Sequence, residues 1–250
     1  MLLHFAAVWL TAVAFVRRAH PKRRQHVARE LAAQTLRILK VRVHSQGALP
    51  QGTPVLLVAN HVSWLDVYAV NCLLRARFIA KREVRQWPLV GTMVAAFDTL
   101  FIRRGCPRDA HRVKDQVAAA LRRGERVVVF PGGTTTDGAS LRHFYPALFQ
   151  AAVDVGAVVQ PVAIRYRDAA HRPATSAAFI DDMTFMESLQ RITAEPELHA
   201  ELVFGPSWSA IGRTRRELAR ASHEWIAATL GVPAKVEPSS SSVPRFARAA

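Results

Sequence analysis

The chain has 250 residues, half of them hydrophobic, and a formal net charge of +15. This length and apolar content suit one large α/β domain with a substantial core, or at most two small domains, and exclude a longer array of domains. The charge indicates an anionic partner: nucleic acid, a phosphorylated substrate or acidic lipid headgroups. Cys72 and Cys106 form neither a C-x-x-C pair nor a metal-ligand spacing, so we expect free thiols and no metal site.

The N-terminal sixteen residues, MLLHFAAVWLTAVAFV, are mostly apolar, and the basic run RRAHPKRR follows them directly. As a helix the apolar run would reach only about 24 Å, short of the roughly 20 residues that a comfortable membrane span needs. A signal peptide is excluded because the charges follow the apolar residues instead of preceding them. We therefore expect residues 1–40 to anchor the chain to a membrane, with the apolar run spanning the bilayer or lying in its interface rather than forming an ordinary buried helix. The basic run would lie on the cytoplasmic face, as at a bacterial inner membrane.

Residues 25–40 have apolar side chains at helical spacing with basic residues between them, which predicts an amphipathic helix lying on a membrane or on the domain. Farther along the chain, short strands alternate with helices. Strands are predicted at 41–44, 55–60, 77–81, 98–104, 126–130 and 158–166. Helices are predicted at 63–75, at 82–97 with an interruption at Pro88, at 109–123 and at 146–156.

The pattern weakens beyond residue 167, where it predicts one late strand at 197–205 and a final helix at 214–230. Residues 235–250 form a low-complexity tail that we expect to be disordered. Alternating strands and helices of these lengths predict an α/β fold, a single domain over residues 41–234 with a largely parallel mixed sheet flanked by helices.

The stretch ANHVSWLDV follows the predicted strand 55–60, and the ends of such strands are where sites gather in open α/β sheets. Ser63 and Asp66 have capping-box spacing, which places His61 in the loop and Asp66 in the first helical turn. Asp66 can then hydrogen-bond one imidazole nitrogen of His61 and leave the other as a general base. By itself, a capping box beside an incidental histidine explains the pattern equally well. No G-x-S-x-G nucleophile elbow is present, so a base here would activate a hydroxyl group of the substrate.

Four blocks of the sequence resemble, in order and approximate spacing, those of the glycerolipid acyltransferase family, which includes the lysophosphatidic acid acyltransferases. NHVSWLD (60–66) is similar to the family's Asn-His-x-x-x-x-Asp signature, and LFIRR (100–104) to its second block. VFPGGTTTDG (129–138) resembles the third block, and VVQPVAI (158–164) the fourth. AKREVRQWPLVG (80–91) is similar to the family's segment between the first two blocks, and the expected N-terminal anchor to its membrane-binding helices.

The resemblance implies acyl transfer from acyl carrier protein or coenzyme A directly to the free hydroxyl of a lysophospholipid, without an acyl-enzyme, cofactor or metal. His61 is implied as the base and Asp66 as the residue that orients it. Arg104 is implied to bind the acceptor's phosphate, a task that suits the planar guanidinium fork. The first expected acceptor is 1-acyl-sn-glycerol-3-phosphate, which would give phosphatidic acid. A lyso-ornithine lipid is the alternative, because the GTTTDG run resembles variants in that branch.

The third block departs from the family pattern at Gly132, where the family has glutamate, while Gly133 and Thr134 match it. The backbone of these three residues can still approach an anion closely, and a threonine hydroxyl can donate to phosphate. We therefore expect Gly132, Gly133 and Thr134 to bind substrate. The segment is not a nucleotide P-loop, because the G-x-x-x-x-G-K-[ST] pattern and its lysine are absent.

Two other interpretations stay open. The glycine at position 132 is also consistent with a lipid-binding protein whose activity has decayed. The positive charge alone is consistent with a nucleic-acid-binding protein. The basic residues are scattered and no helix-turn-helix, zinc or aromatic RNA-binding pattern is present, so we expect no nucleic-acid partner and assign the charge to membrane association.

Overall fold

The computed structural model of the protein describes residues 21–48, 54–86, 91, 99–103 and 107–233. Several sequence-based expectations lie outside these residues: the apolar run 1–16, the tail 235–250, the helical stretch around Pro88, Arg104 and Cys106.

Six α-helices and eight strands are present in the described residues. The helices are α1 (Pro21–Ile38), α2 (Leu65–Leu73), α3 (Pro107–Arg122), α4 (Gln150–Val155), α5 (Phe185–Ala194) and α6 (Arg215–Leu230). The strands are β1 (Val41–Gln46), β2 (Val55–Ala59), β3 (Arg77–Lys81), β4 (Leu100–Ile102), β5 (Arg126–Val129), β6 (Val158–Asp168), β7 (Leu198–Phe204) and β8 (Trp208–Ser209). Short 3-10 helices lie at Arg82–Gln86, Pro146–Phe149 and Thr175–Ala177.

The strands form one sheet in the order β1-β7-β6-β2-β5-β3-β4, with β8 paired to β6. Strand β2 runs parallel to both of its neighbours, β5 and β6. Strand β7 runs antiparallel to β6 and parallel to β1. The predicted α/β fold with a largely parallel mixed sheet is therefore confirmed.

Strand β2 lies at the centre of the core, and all five of its residues are buried. Helices cover both faces of a parallel sheet, which explains why this strand is an unbroken apolar run. Alternate side chains enter two separate clusters. Val55, Leu57 and Ala59 pack with α1 and α2, whereas Leu56 and Val58 pack with α3, α4 and α6.

Helix α1 packs on the domain, which is one of the two positions predicted for the amphipathic helix 25–40. Its apolar stripe joins the cluster that contains α2, through Ala28, Leu31, Ala32 and Leu36, all of them buried. The helix is also held by Arg29, whose Nε donates to the carbonyl of Cys72 at 3.1 Å. Among the described helices, none combines the length and the apolarity that crossing a bilayer requires.

Some predicted elements differ from the structure. The helix predicted at 146–156 begins as the 3-10 helix Pro146–Phe149, and the α-helix starts only at Gln150. Helix α5 was not predicted, although Thr184 and Glu187 form a capping box at its start, with the T-x-x-E spacing that marks helix N-termini.

Candidate active site

The site begins where β2 ends, and Asn60 fixes that end to the neighbouring strand. The Asn60 side chain is buried, donates Nδ2–H to the carbonyl of Ile164 at 2.8 Å and accepts the Ile164 N–H at 2.8 Å. This amide therefore replaces one backbone rung between β2 and β6. The loop that carries His61 leaves the sheet from a fixed position.

The predicted dyad is present. His61 Nδ1 and Asp66 Oδ2 lie 2.7 Å apart, within hydrogen-bonding distance. The Asp66 side chain is fully buried, whereas that of His61 remains 22% exposed. A buried carboxylate on Nδ1 fixes the tautomer and stabilises a proton gained at Nε2, which makes His61 suited to act as a general base.

Asp66 accepts three further hydrogen bonds. The backbone N–H groups of Val62 and Ser63 donate to Oδ2 at 2.8 and 3.1 Å. The Tyr166 hydroxyl donates to Oδ1 at 2.7 Å. Burial, together with the charge and hydrogen bond of Asp66, raises the pKa of Tyr166 well above its ordinary value, so the hydroxyl remains a donor. These partners offset the cost of burying a carboxylate and hold it towards His61.

The predicted capping box is only half formed, which is a correction. Helix α2 begins at Leu65 with Trp64 at the N-cap, and Ser63 Oγ accepts the Leu65 N–H at 3.3 Å instead of capping Asp66. The other half exists, because Asp66 accepts the Ser63 N–H. The Asp66 carboxylate thus bonds the start of the helix and His61 at the same time. A capping interaction and a histidine–aspartate pair are therefore both present, and one does not exclude the other.

The third block lies beside the dyad because β2 and β5 are parallel neighbours, with Val58 paired to Val129. The ring of Phe130 stacks on that of His61 at 4.0 Å between centroids and 12° between planes. Thr136 donates its N–H to the carbonyl of His61 at 2.9 Å. Gly133 has φ +79, a conformation that L side chains rarely adopt, so the turn after Phe130 favours glycine there.

Two cavities flank this loop. An apolar groove of about 200 Å³ lies on one side, and its lining includes His61, Val67, Phe78, Ile79, Phe130 and Phe179. A polar cleft of about 970 Å³ lies on the other, and its lining includes Gly132, Asp137, Arg142, His143, Asp181 and Asp182. Thr134 and Thr135 line both. The structure thus brings five predicted site residues to one edge of the sheet: His61, Asp66, Gly132, Gly133 and Thr134. Arg104 lies outside the described residues.

Sequence reasoning assigned no role to Asn60 or Tyr166. Asn60 belongs to the quoted motif, and a polar residue ending a buried strand is the signal that points to it. Tyr166 lies 100 residues from Asp66, and no local pattern indicates their contact. In the described part of the chain, no group of three or more His, Cys, Asp or Glu side chains is placed to hold a metal ion.

A histidine–aspartate pair lies at the carboxyl edge of a largely parallel sheet with an apolar groove beside it, an arrangement suited to activating a hydroxyl next to an apolar substrate chain. The acyltransferase family model matches residues 40–165, which contain the dyad and the third-block loop. The chain belongs to the acyltransferase family.

Relatives of two kinds are similar to this chain. The lyso-ornithine lipid O-acyltransferase of Pseudomonas aeruginosa is 37% identical over 81% of this chain and 78% of its own length. The 1-acyl-sn-glycerol-3-phosphate acyltransferase of Neisseria meningitidis is 36% identical over 64% of this chain and 64% of its own length. A solved structure, that of the acyltransferase PlsC from Thermotoga maritima, matches with a TM-score of 0.65 over 91% of this chain and 88% of that chain. At 20% identity this last match shows the fold alone.

Proposed function

We propose that the enzyme transfers a fatty acyl group from a thioester to the free hydroxyl of a lysolipid. The observation that carries this proposal is the His61–Asp66 hydrogen bond of 2.7 Å at the edge of the apolar groove. The dyad supplies a base, and the groove supplies a surface for an acyl chain.

The chemistry follows from the groups present. Nε2 of His61 takes the proton from the acceptor hydroxyl as its oxygen attacks the thioester carbonyl carbon. Asp66 stabilises the imidazolium that forms, as the buried carboxylate does in a catalytic triad. When the tetrahedral intermediate collapses, the carbon–sulfur bond breaks and the leaving thiolate takes that proton. The products are an ester and a free thiol, with no covalent enzyme intermediate.

Two acceptors are candidates. The family motif and the Neisseria relative favour 1-acyl-sn-glycerol-3-phosphate, which would give phosphatidic acid. The Pseudomonas relative, aligned over a larger share of this chain, favours a lyso-ornithine lipid. Arg104 would bind the phosphate of the first acceptor, and Gly132, Gly133 and Thr134 would line the path of either one.

The acyl donor would be acyl carrier protein or a coenzyme A thioester, and no cofactor or metal would take part. A net charge of +15 suits the acidic carrier and the coenzyme phosphates alike. The same charge and the N-terminal apolar run would hold the enzyme at the cytoplasmic face of a bacterial inner membrane.

Substitution of the base tests the proposal. We expect His61→Ala to lower kcat for acyl transfer from a labelled thioester to a lysolipid by about 10²- to 10⁴-fold. His111→Ala is a matched control, because this histidine side chain is 75% exposed on α3. Unchanged turnover by the His61→Ala protein would contradict the assignment of His61 as the base.

A further inference from the structure

The polar cleft has a charge opposite to that of the chain as a whole. Three aspartates, Asp137, Asp181 and Asp182, line it together with Arg142 and His143, in a chain whose net charge is +15. Asp137 stabilises the turn that contains it, since its Oδ1 accepts the Ala139 N–H at 3.0 Å. The side chains of Asp181, Asp182 and Arg142 are exposed and have no hydrogen-bond or ion-pair partner among the described residues.

Gly132 lies directly against the Arg142 side chain. A Cβ added at Gly132 would meet the Cβ of Arg142 at 3.1 Å, so any larger side chain at position 132 would lie against the arginine. Glutamate, the residue of the family pattern, would place a carboxylate next to the guanidinium and compete for it. With glycine, the guanidinium remains available to an anion that enters the cleft.

The cleft and the catalytic groove share a wall, formed by Thr134 and Thr135. A second segment of chain borders both cavities, because Phe179 lines the groove and the next residue, Ile180, lines the cleft. Phe179 donates its N–H to the carbonyl of Val62 at 2.9 Å, which fixes this segment to the histidine loop. A lysolipid headgroup bound in the cleft would therefore be separated from His61 only by these wall segments.

We propose that this cleft binds the headgroup of the acceptor and that the headgroup is zwitterionic, carrying one carboxylate and one primary ammonium. This inference rests on the acyl transfer proposed above. Arg142 would hold the carboxylate with its fork of donors, and Asp181 and Asp182 would hold the ammonium. A phosphate monoester is disfavoured, because its negative charge would enter a site that contains three carboxylates and a single arginine.

The test compares two acceptors with one palmitoyl thioester: Nα-(3-hydroxypalmitoyl)ornithine, which is zwitterionic, and 1-palmitoyl-glycerol-3-phosphate. We expect the unmodified enzyme to favour the zwitterion in kcat/KM. Arg142→Gln should lower kcat/KM for the zwitterion by about tenfold, the effect of losing a charge-assisted hydrogen bond. Asp181→Asn combined with Asp182→Asn should also lower it, and should raise the relative use of the phosphate acceptor.

Arg216→Gln on α6 and Asp115→Asn on α3 are matched controls, because both residues are exposed and neither lines the cleft. Cleft variants that behave like these controls, or an unmodified enzyme that prefers the phosphate acceptor, would overturn the proposal.

A binding experiment separates failure of the headgroup site from failure of the proposed reaction. In the His61→Ala protein, affinity for each lysolipid is measured by titration in detergent micelles. Tighter binding of the zwitterion, weakened by adding Arg142→Gln, supports the site even if the unmodified enzyme acylates neither acceptor. Equal binding of both lysolipids contradicts it, even if acyl transfer occurs.

Discussion

Tyr166 restrains the Asp66 carboxylate at the oxygen that does not bond His61. Its hydroxyl bonds Oδ1 of Asp66, while His61 bonds Oδ2. Each oxygen of the carboxylate is therefore fixed by a different partner, and rotation of the Asp66 side chain would break both bonds. We expect Tyr166 to act as a positioning residue, so its contribution should appear in the rate rather than in substrate affinity.

We expect Tyr166→Phe to lower kcat by about 10- to 100-fold and to leave KM for the acceptor unchanged, because the variant removes one hydrogen bond to a charged group, worth about 1.5–3 kcal/mol. Steady-state kinetics measures both values. In a double-mutant cycle, Tyr166→Phe should have little further effect on kcat once Asp66 is asparagine. An equal effect in both backgrounds would show that Tyr166 acts elsewhere.

Gly132 is the position at which the chain departs from its family pattern. Two substitutions distinguish the steric effect of a side chain there from the effect of its charge. Gly132→Ala should change activity little, since its Cβ needs only a few tenths of an ångström at Arg142. Gly132→Glu should lower kcat/KM about tenfold, because the new carboxylate occupies the Arg142 guanidinium. Acyl-transfer assays on both variants check this. A large gain from near-zero activity in Gly132→Glu would instead support a decayed lipid-binding protein.

At the level of elements, β6 and β7 are joined by a charged cluster as well as by backbone bonds. Arg165 and Glu201 are directly paired across the two strands, with 2.5 Å between Nε and Oε2, and Arg167 lies 3.3 Å from the same oxygen. Burial raises the pKa of Glu201, but the hydrogen bond and charge of Arg165, with those of Arg167, outweigh burial and lower it below the ordinary value of 4.5.

A lowered carboxyl pKa stabilises the fold above the unfolded-state value, and this stability is lost as the pH falls through the folded-state value. We therefore expect Glu201→Gln to lower the free energy of unfolding by about 1–2 kcal/mol at pH 7. The difference from the unmodified protein should shrink as the pH falls below about 4.5. Denaturant unfolding at several pH values measures it. Glu224→Gln, at a side chain 64% exposed, is the control and should have little effect at any pH.

The sequence predicted those elements whose signals are local. The strand 77–81 was predicted with the bounds that β3 has, because a short apolar run lies between turn residues. The antiparallel direction of β7 was not predictable, since an alternating or apolar run does not reveal its pairing partner. The dyad was predictable because His61 and Asp66 are five residues apart. The Tyr166 contact and the polar cleft were not, because each joins segments that only the fold brings together.

For the whole molecule, a charge of +15 should govern binding to membranes. We expect the full chain to bind vesicles that contain anionic lipid more tightly than neutral vesicles, and to release them as salt rises. Removal of residues 1–20 should weaken vesicle binding while acyl transfer in detergent micelles persists, because Ala28, Leu31, Ala32 and Leu36, which pack α1 on the domain, all lie beyond residue 20. Vesicle co-sedimentation measures the binding. Tighter, salt-sensitive binding to DNA than to anionic vesicles would favour a nucleic-acid-binding protein instead.

The bonds made by Asn60 and Tyr166 also set the order in which the enzyme can become competent. They join residues 104 and 100 positions apart, so they form only after β6 has docked beside β2. Contacts between residues so distant in sequence form slowly during folding. A nascent chain that has just completed the third block contains both residues of the dyad but lacks Ile164 and Tyr166, which restrain Asn60 and Asp66 in the folded protein. In refolding, activity should therefore return with the closure of the central sheet, later than helix formation.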